Sequence, residues 1–245
     1  MSCLAASVLL WGEYSVEASE KSLRIAAFDY KPFVNQNVDG HGYIAEIATA
    51  ALLRAGYDVE YHFVPLKRAL VLAQEGDMDG VLGAYYAEER TSFLEYSNPM
   101  GDIRVNFFRR KDRNISYTKP ADMAPYTIGV ILGTSLIKAL HQDGLKVDEA
   151  PGNVNNLKKL LAGRVDVFVG TTEWIFYDLR ANFSQVEQDQ ILVIDPPYMI
   201  QKVYLTISKK KASFTTIIER FNKGLAQIKA DGTYQAILKK HGIAQ

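Results

Sequence analysis

Residues 66–99 read LKRALVLAQEGDMDGVLGAYYAEERTSFLEYSNP. Leu66 to Glu75 has the apolar spacing of a helix and is followed by Gly76, a helix-ending residue. Met78 to Leu82 is a short apolar run with strand character, and Gly83 follows it. A loop then leads to a short polar helix carrying Arg90. Helix, turn, strand, loop and helix in this order place Gly83, Ala84, Tyr85 and Tyr86 at the carboxyl end of a strand, where open α/β sheets bind ligands. A guanidinium one or two turns downstream offers a planar fork to a carboxylate.

The same alternation runs outward in both directions. Leu23 to Phe28 reads as a strand ended by Asp29-Tyr30-Lys31-Pro32. Tyr43 to Gly56 reads as a helix, with Ile44, Ile47, Ala48, Ala51 and Leu52 on one face. Val59–Val64 and Arg104–Phe108 read as strands. After the charged run 109–113 come strand 126–132, helix 134–141, helix 154–162, strand 165–169 and helix 172–179. Ile191 to Ile194 is a strand that Pro196-Pro197 should break, and Val203 to Ser208 returns as another. Phe214 to Ala230 and Thr233 to Lys240 are the closing helices. Strands alternating with helices imply an α/β fold with mostly parallel sheets. Two such rhythms, separated near 109–113 and 196–203, suggest two lobes: residues 21–110 plus 201–245, and residues 111–200. The chain would cross between them twice, forming a hinge pair. A single doubly wound domain is the other arrangement compatible with the pattern.

The 245 residues carry 28 Lys+Arg against 28 Asp+Glu, and 48% are hydrophobic. That balance lacks the basic stripe of a nucleic-acid binder, and the apolar content supports a full core without disulfides. Cys3 is the single cysteine. Residues 3–11, CLAASVLLW, are too short to span a bilayer. With Val16-Glu17-Ala18 as a small-residue cleavage site they suggest a signal peptide over residues 1–20, although no Lys or Arg precedes the run; a disordered or amphipathic tail is the alternative. None of the G-x-S-x-G, H-E-x-x-H or P-loop patterns occurs. The four histidines are scattered, and Asp77 and Asp79 lack the remaining ligands of a calcium loop. No metal and no cofactor are expected.

Four segments carry a family resemblance: LRIAAFDYKPFV at 23–34, EGDMDGVLGAYYAEERTSFLEYSNP at 75–99, IGVILGTSLIKAL at 128–140, and LLAGRVDVFVG at 160–170 followed by ADGTYQAILKKHG at 230–242. Together they resemble, in order and spacing, the extracytoplasmic solute-binding proteins of the polar amino-acid uptake type. The resemblance implies a two-lobed, type II periplasmic-binding-protein-like fold. It implies a periplasmic, monomeric protein that closes on a small solute and delivers it to a membrane ABC permease. A ligand-sensing module for a receptor, or a dehydratase or lyase on the same fold, are the alternatives.

The resemblance also assigns a site. Arg90 stands where the family binds the ligand's carboxylate, with Gly83 and Tyr85 supplying backbone groups beside it. Tyr30 stands where a ring packs on the ligand. Thr134 and Ser135 follow Gly133 at a helix start, whose free N–H groups reach the same carboxylate. Three departures matter, one being that the family's hydroxyl-bearing residues near Tyr85 and Ala87 are absent. Thr171 occupies the place of an Asp that accepts the ligand's ammonium in many members, and Glu173, two residues on, is a possible substitute. Lys67, with Arg68 beside it, occupies a usual aromatic position. One anion is lost and cations are gained, so a carboxylate-bearing organic anion competes with a zwitterionic amino acid as the expected ligand. Trp174 and Tyr177 share a helix face and read as packing within a lobe.

Overall fold

The computed structural model of the chain describes residues 21–243. The apolar stretch 3–11, and with it the expected leader, lies outside the described residues. The first half runs β1 (Ser22–Ala27), α1 (Tyr43–Arg54), β2 (Asp58–Phe63), α2 (Leu66–Glu75), β3 (Gly80–Tyr85) and β4 (Leu94–Tyr96). β1 pairs parallel with both β2 and β3. The predicted apolar stripe of α1, from Ile44 to Leu52, is buried. Gly56 and Gly76 turn the chain just beyond α1 and α2 with φ of 82° and 89°, the left-handed conformation that favours glycine.

β5 (Gly101–Arg110) leads into β6 (Thr127–Ile131), α3 (Ser135–Gln142), β7 (Lys146–Ala150), α4 (Asn153–Leu161), β8 (Val167–Thr171), α5 (Thr172–Asn182) and the single turn α6 (Gln185–Gln188). β6 pairs parallel with β7 and β8. β9 (Ile191–Ser208) then returns, and α7 (Phe214–Ala230) and α8 (Thr233–Lys240) close the chain. β9 runs antiparallel to β3, β4 and β5, and β5 runs antiparallel to β8. The strand order is β2-β1-β3-β9-β5-β8-β6-β7, with β4 on β9. Parallel crossover units therefore flank an antiparallel central pair.

β4 and the single turn α6 fall in stretches without an expected element, and two further elements differ from the sequence reading. β9 continues through Pro196-Pro197. Val105 and Phe107 of β5 pair with Met199 and Ile194, so one intervening residue on β5 faces four on β9. The prolines fall in that bulge, where the ladder asks for no N–H. Asn106, buried at the break, donates from Nδ2 to the Ile194 carbonyl at 2.9 Å and to Asp195 Oδ1 at 3.3 Å, and accepts from Thr172 Oγ1 at 2.8 Å. β7 is absent from the sequence reading; Lys146-Val-Asp-Glu-Ala has little apolar character because it is an outer strand bonded only to β6.

The buried apolar residues fall on either side of this central pair. Ile103, Val203 and Leu205 belong to a core built on β1, α1 and α7, around Ile44, Leu52 and Phe221. Val105, Phe107 and Ile194 belong to a second core with Ile128, Val130 and Val167. The core changes between Ile103 and Val105, within a single strand. The molecule is thus two-lobed, with β5 and β9 crossing between the lobes.

Candidate functional site

A cavity of about 460 Å³ opens where the ends of β3 and β8 face each other. Gly83, near the end of β3, has φ of 77° and sits at a register shift against β9. Glycine is needed there for its backbone, since an added Cβ would meet only side-chain atoms at ordinary contact distance. The chain then enters a one-turn 3-10 helix, Glu88–Ser92, in place of the short polar helix that the sequence predicts. Thr91 and Ser92 hydroxyls donate back to the carbonyls of Glu88 and Glu89 at 2.7 and 2.9 Å, which holds the tight turn. Arg90 leaves this turn and donates to the Tyr85 carbonyl at 3.3 Å. It forms no ion pair among the described residues; Glu95, a candidate partner, pairs with Lys209 at 3.4 Å instead. The guanidinium is thus half-buried at the cavity, bonded to the Tyr85 carbonyl and beside the Tyr96 hydroxyl, with no carboxylate paired to it among the described residues.

Tyr30, beyond β1, sits among other rings. Its centroid is 4.7 Å from that of Phe33, 6.3 Å from Phe28 and 5.5 Å from Trp174, the last edge-on. Tyr85 donates to the Tyr30 hydroxyl at 2.6 Å, and Tyr30 shares a hydrogen bond with Thr171 Oγ1 at 3.1 Å. This hydroxyl chain links the ends of β3, β1 and β8. Burial raises the pKa of both phenols above their ordinary value, so both stay neutral. Thr134, before α3, turns its hydroxyl back onto the Ile131 carbonyl at 2.9 Å, and no side chain caps α3. Thr134 and Leu136, at the start of α3, line the cavity.

Six of the ten residues named from sequence therefore line one cavity: Tyr30, Gly83, Tyr85, Arg90, Thr134 and Thr171. Ser135 opens α3 next to them. The other three do not join. Lys67 and Arg68 are exposed on α2, whose buried face is Ala69, Leu72 and Ala73; Leu66 is the α2 residue that reaches the cavity. Glu173 lines two different cavities, of about 420 and 450 Å³, with Arg104. Its Oε2 is buried without a partner, and burial raises its pKa, an effect that Arg104 partly offsets. Glu173, expected as a substitute for a missing acid, therefore does not line this cavity, although its charge is felt at the Tyr30 and Tyr85 phenols. Residues 171, 173 and 174 explain why. Two residues along a helix is about 200° of rotation, while three is about 300° and comes back toward the starting side. Trp174, read from sequence as packing, lines the cavity accordingly. Asn153 and Gln201 also line it and escape the sequence reading. Asn153 opens α4 directly after Gly152, and a polar side chain at a helix start is the one signal that points to it.

No helix among the described residues is long and apolar enough to cross a membrane, and no group of three or more His, Cys, Asp or Glu among them is placed to hold a metal ion. In comparisons with known proteins, the chain is 25% identical over 234 residues to the arginine-binding extracellular protein ArtP of Bacillus subtilis, covering 92% of this chain and 88% of that one. It is 23% identical over 214 residues to the L-cystine-binding protein TcyA of the same organism, covering 86% and 77%. The second substrate-binding domain of Lactococcus lactis GlnP, in its open conformation, superposes with a TM-score of 0.71 at 21% identity, covering 91% and 95%. That likeness shows the fold. The sequence profile of bacterial extracellular solute-binding proteins, family 3, matches residues 23–244, from the first strand past the last helix, and this chain belongs to that family.

Proposed function

We propose that this chain is the solute-capturing component of an ABC uptake system. It works outside the cytoplasm, in the periplasm, as a monomer that binds without turnover. Its lobes, 21–110 with 201–245 and 111–200, close on a small solute whose carboxylate Arg90 grips. The observation that carries this reading is a guanidinium without an acidic partner, at a cavity lined by both halves of the chain. Charge-assisted bidentate bonding is what such a fork provides, and a guanidinium keeps its proton at any physiological pH. Gly83 and the first turn of α3, which line the same cavity, supply further donors. Closure excludes water and strengthens each of these contacts. A solute shifts the lobes toward closure only by its differential affinity for that state. The closed form is then what a permease recognises, consistent with relatives named for amino-acid binding.

A thermal-shift screen of amino acids, organic acids, polyamines and short peptides tests this. A ligand at about a thousand times its Kd adds roughly 4 kcal/mol of stability. Arg90→Ala is expected to weaken any carboxylate hit by about 10- to 100-fold, the worth of hydrogen bonds to a charged group. Lys67→Ala and Arg68→Ala are expected to leave its Kd unchanged, because both side chains lie outside the cavity. A carboxylate hit whose Kd ignores Arg90→Ala overturns the reading. Chemical turnover of a hit would replace capture by catalysis.

A further inference from the structure

The cavity is charged in one sense only. Among the described residues nineteen line it, and Arg90 is the single Lys, Arg, Asp or Glu of these. Neither of the two carboxylates nearest in sequence to its far wall lines the cavity, although the charge of Glu173 is felt at the Tyr30 and Tyr85 phenols. Asp178 takes the Asn153 amide at 2.8 Å. Glu173 lines the other two cavities with Arg104. The far wall itself offers Thr171, whose hydroxyl is bonded to Tyr30, which is in turn bonded to Tyr85. Those phenols are held neutral by burial and supply no phenolate. The remaining walls are mostly apolar or aromatic, with Phe28, Trp174 and Leu136 among them, and carry the neutral polar side chains of Thr134, Asn153 and Gln201.

A carboxylate entering this space meets an unpaired guanidinium. A second, cationic group on the same ligand would meet no anion, would lie near that guanidinium and would lose its water. An apolar or ring-bearing body would lose nothing and would fill the aromatic walls. We propose that the solute of this cleft is a monocarboxylate whose remaining atoms are uncharged, an organic acid with an apolar or ring-bearing body, selected over the α-amino acid of the same shape. This rests on the capture reading above and specifies what the same site takes. Thr171 then acts as the specificity-determining residue: a neutral hydroxyl at the position from which an acid would face Arg90's ligand.

Matched pairs test it on the full chain by calorimetry and thermal shift: 3-phenylpropanoate with L-phenylalanine, 4-methylpentanoate with L-leucine, hexanoate with L-norleucine, and 2-phenylethylamine as the carboxylate-free control. The acid of at least one pair is expected to bind about tenfold or more tightly than its amino partner, and to lose that affinity in Arg90→Ala. Thr171→Asp is expected to shift the ratio of the two affinities toward the amino acid by about tenfold or more, with Thr171→Asn leaving the ratio near that of the parent. An amino acid that binds the parent as tightly as its acid, through its aromatic walls or otherwise, overturns the inference and leaves capture standing. So does a panel in which no acid binds. Binding of the amine without the acids, or acid binding that survives Arg90→Ala, overturns the capture reading itself.

Discussion

Glu173 and Trp174 are adjacent in sequence and serve opposite sides of the cleft wall, and the consequence for the acid is energetic. Its buried, unpartnered oxygen raises its pKa in the folded chain. Between the ordinary carboxylate value and the raised one, the folded state therefore holds more protons than the unfolded state. Stability falls as pH rises through that window, and the penalty persists above it. Glu173→Gln is expected to raise Tm by about 2–4 °C near pH 8 and to change it little near pH 4, where the parent is already largely protonated in both states. A gain that is equal at both pH values would refute the buried-charge explanation. Arg90 and Tyr30 are reached from the sequence through the family resemblance, which assigns roles position by position, and both line the cavity. The direction of Glu173 is not legible in the sequence, because one residue of uncertainty about where α5 begins rotates every side chain on it by about 100°.

At the level of elements, glycine positions separate backbone requirement from close packing. Gly224 lies inside α7 on its buried face, and a Cβ there would stand 2.2 Å from the Ala51 carbonyl oxygen of α1. In an exposed helix Gly→Ala stabilises by about 1 kcal/mol. Overpacking a tight crossing costs about 1–3 kcal/mol, so the sign reverses here. Gly224→Ala is expected to lower unfolding free energy in urea, with α1 and α7 forced apart; a stabilised variant would show that the two helices are free to separate. The stripe on α1 and the glycine stops after α1 and α2 are legible because they depend on neighbours three or four residues away. β7 and the unbroken β9 are not, because an outer strand with few apolar residues and a proline pair inside a strand become intelligible only through partners far along the chain, β6 in one case and β5 in the other.

For the molecule as a whole, Asn106 joins three elements where the two cores meet. Its amide holds the Ile194 carbonyl, reaches Asp195 and receives Thr172. Removing it strands the buried Ile194 carbonyl and takes the acceptor from the half-buried Thr172 hydroxyl. Asn106→Ala is expected to cost about 1–3 kcal/mol of stability, measured by urea unfolding; an unchanged midpoint would show that solvent enters the bulge. The two-lobed plan is legible from the repeated rhythm of the chain, whereas the nature of the crossing is not, since a charged run and a Pro-Pro pair look like two loose linkers. What joins the halves is a pair of strands bonded to each other, from Gly101 opposite Val203 to Arg110 opposite Ile191. A strap of that kind can flex across its flat face but resists sliding lengthwise, since a slip of one place would turn every inward side chain outward. On the capture reading proposed above, the jaws would therefore be confined to one swing, and Arg90 would meet the opposite wall in the same alignment at each closure.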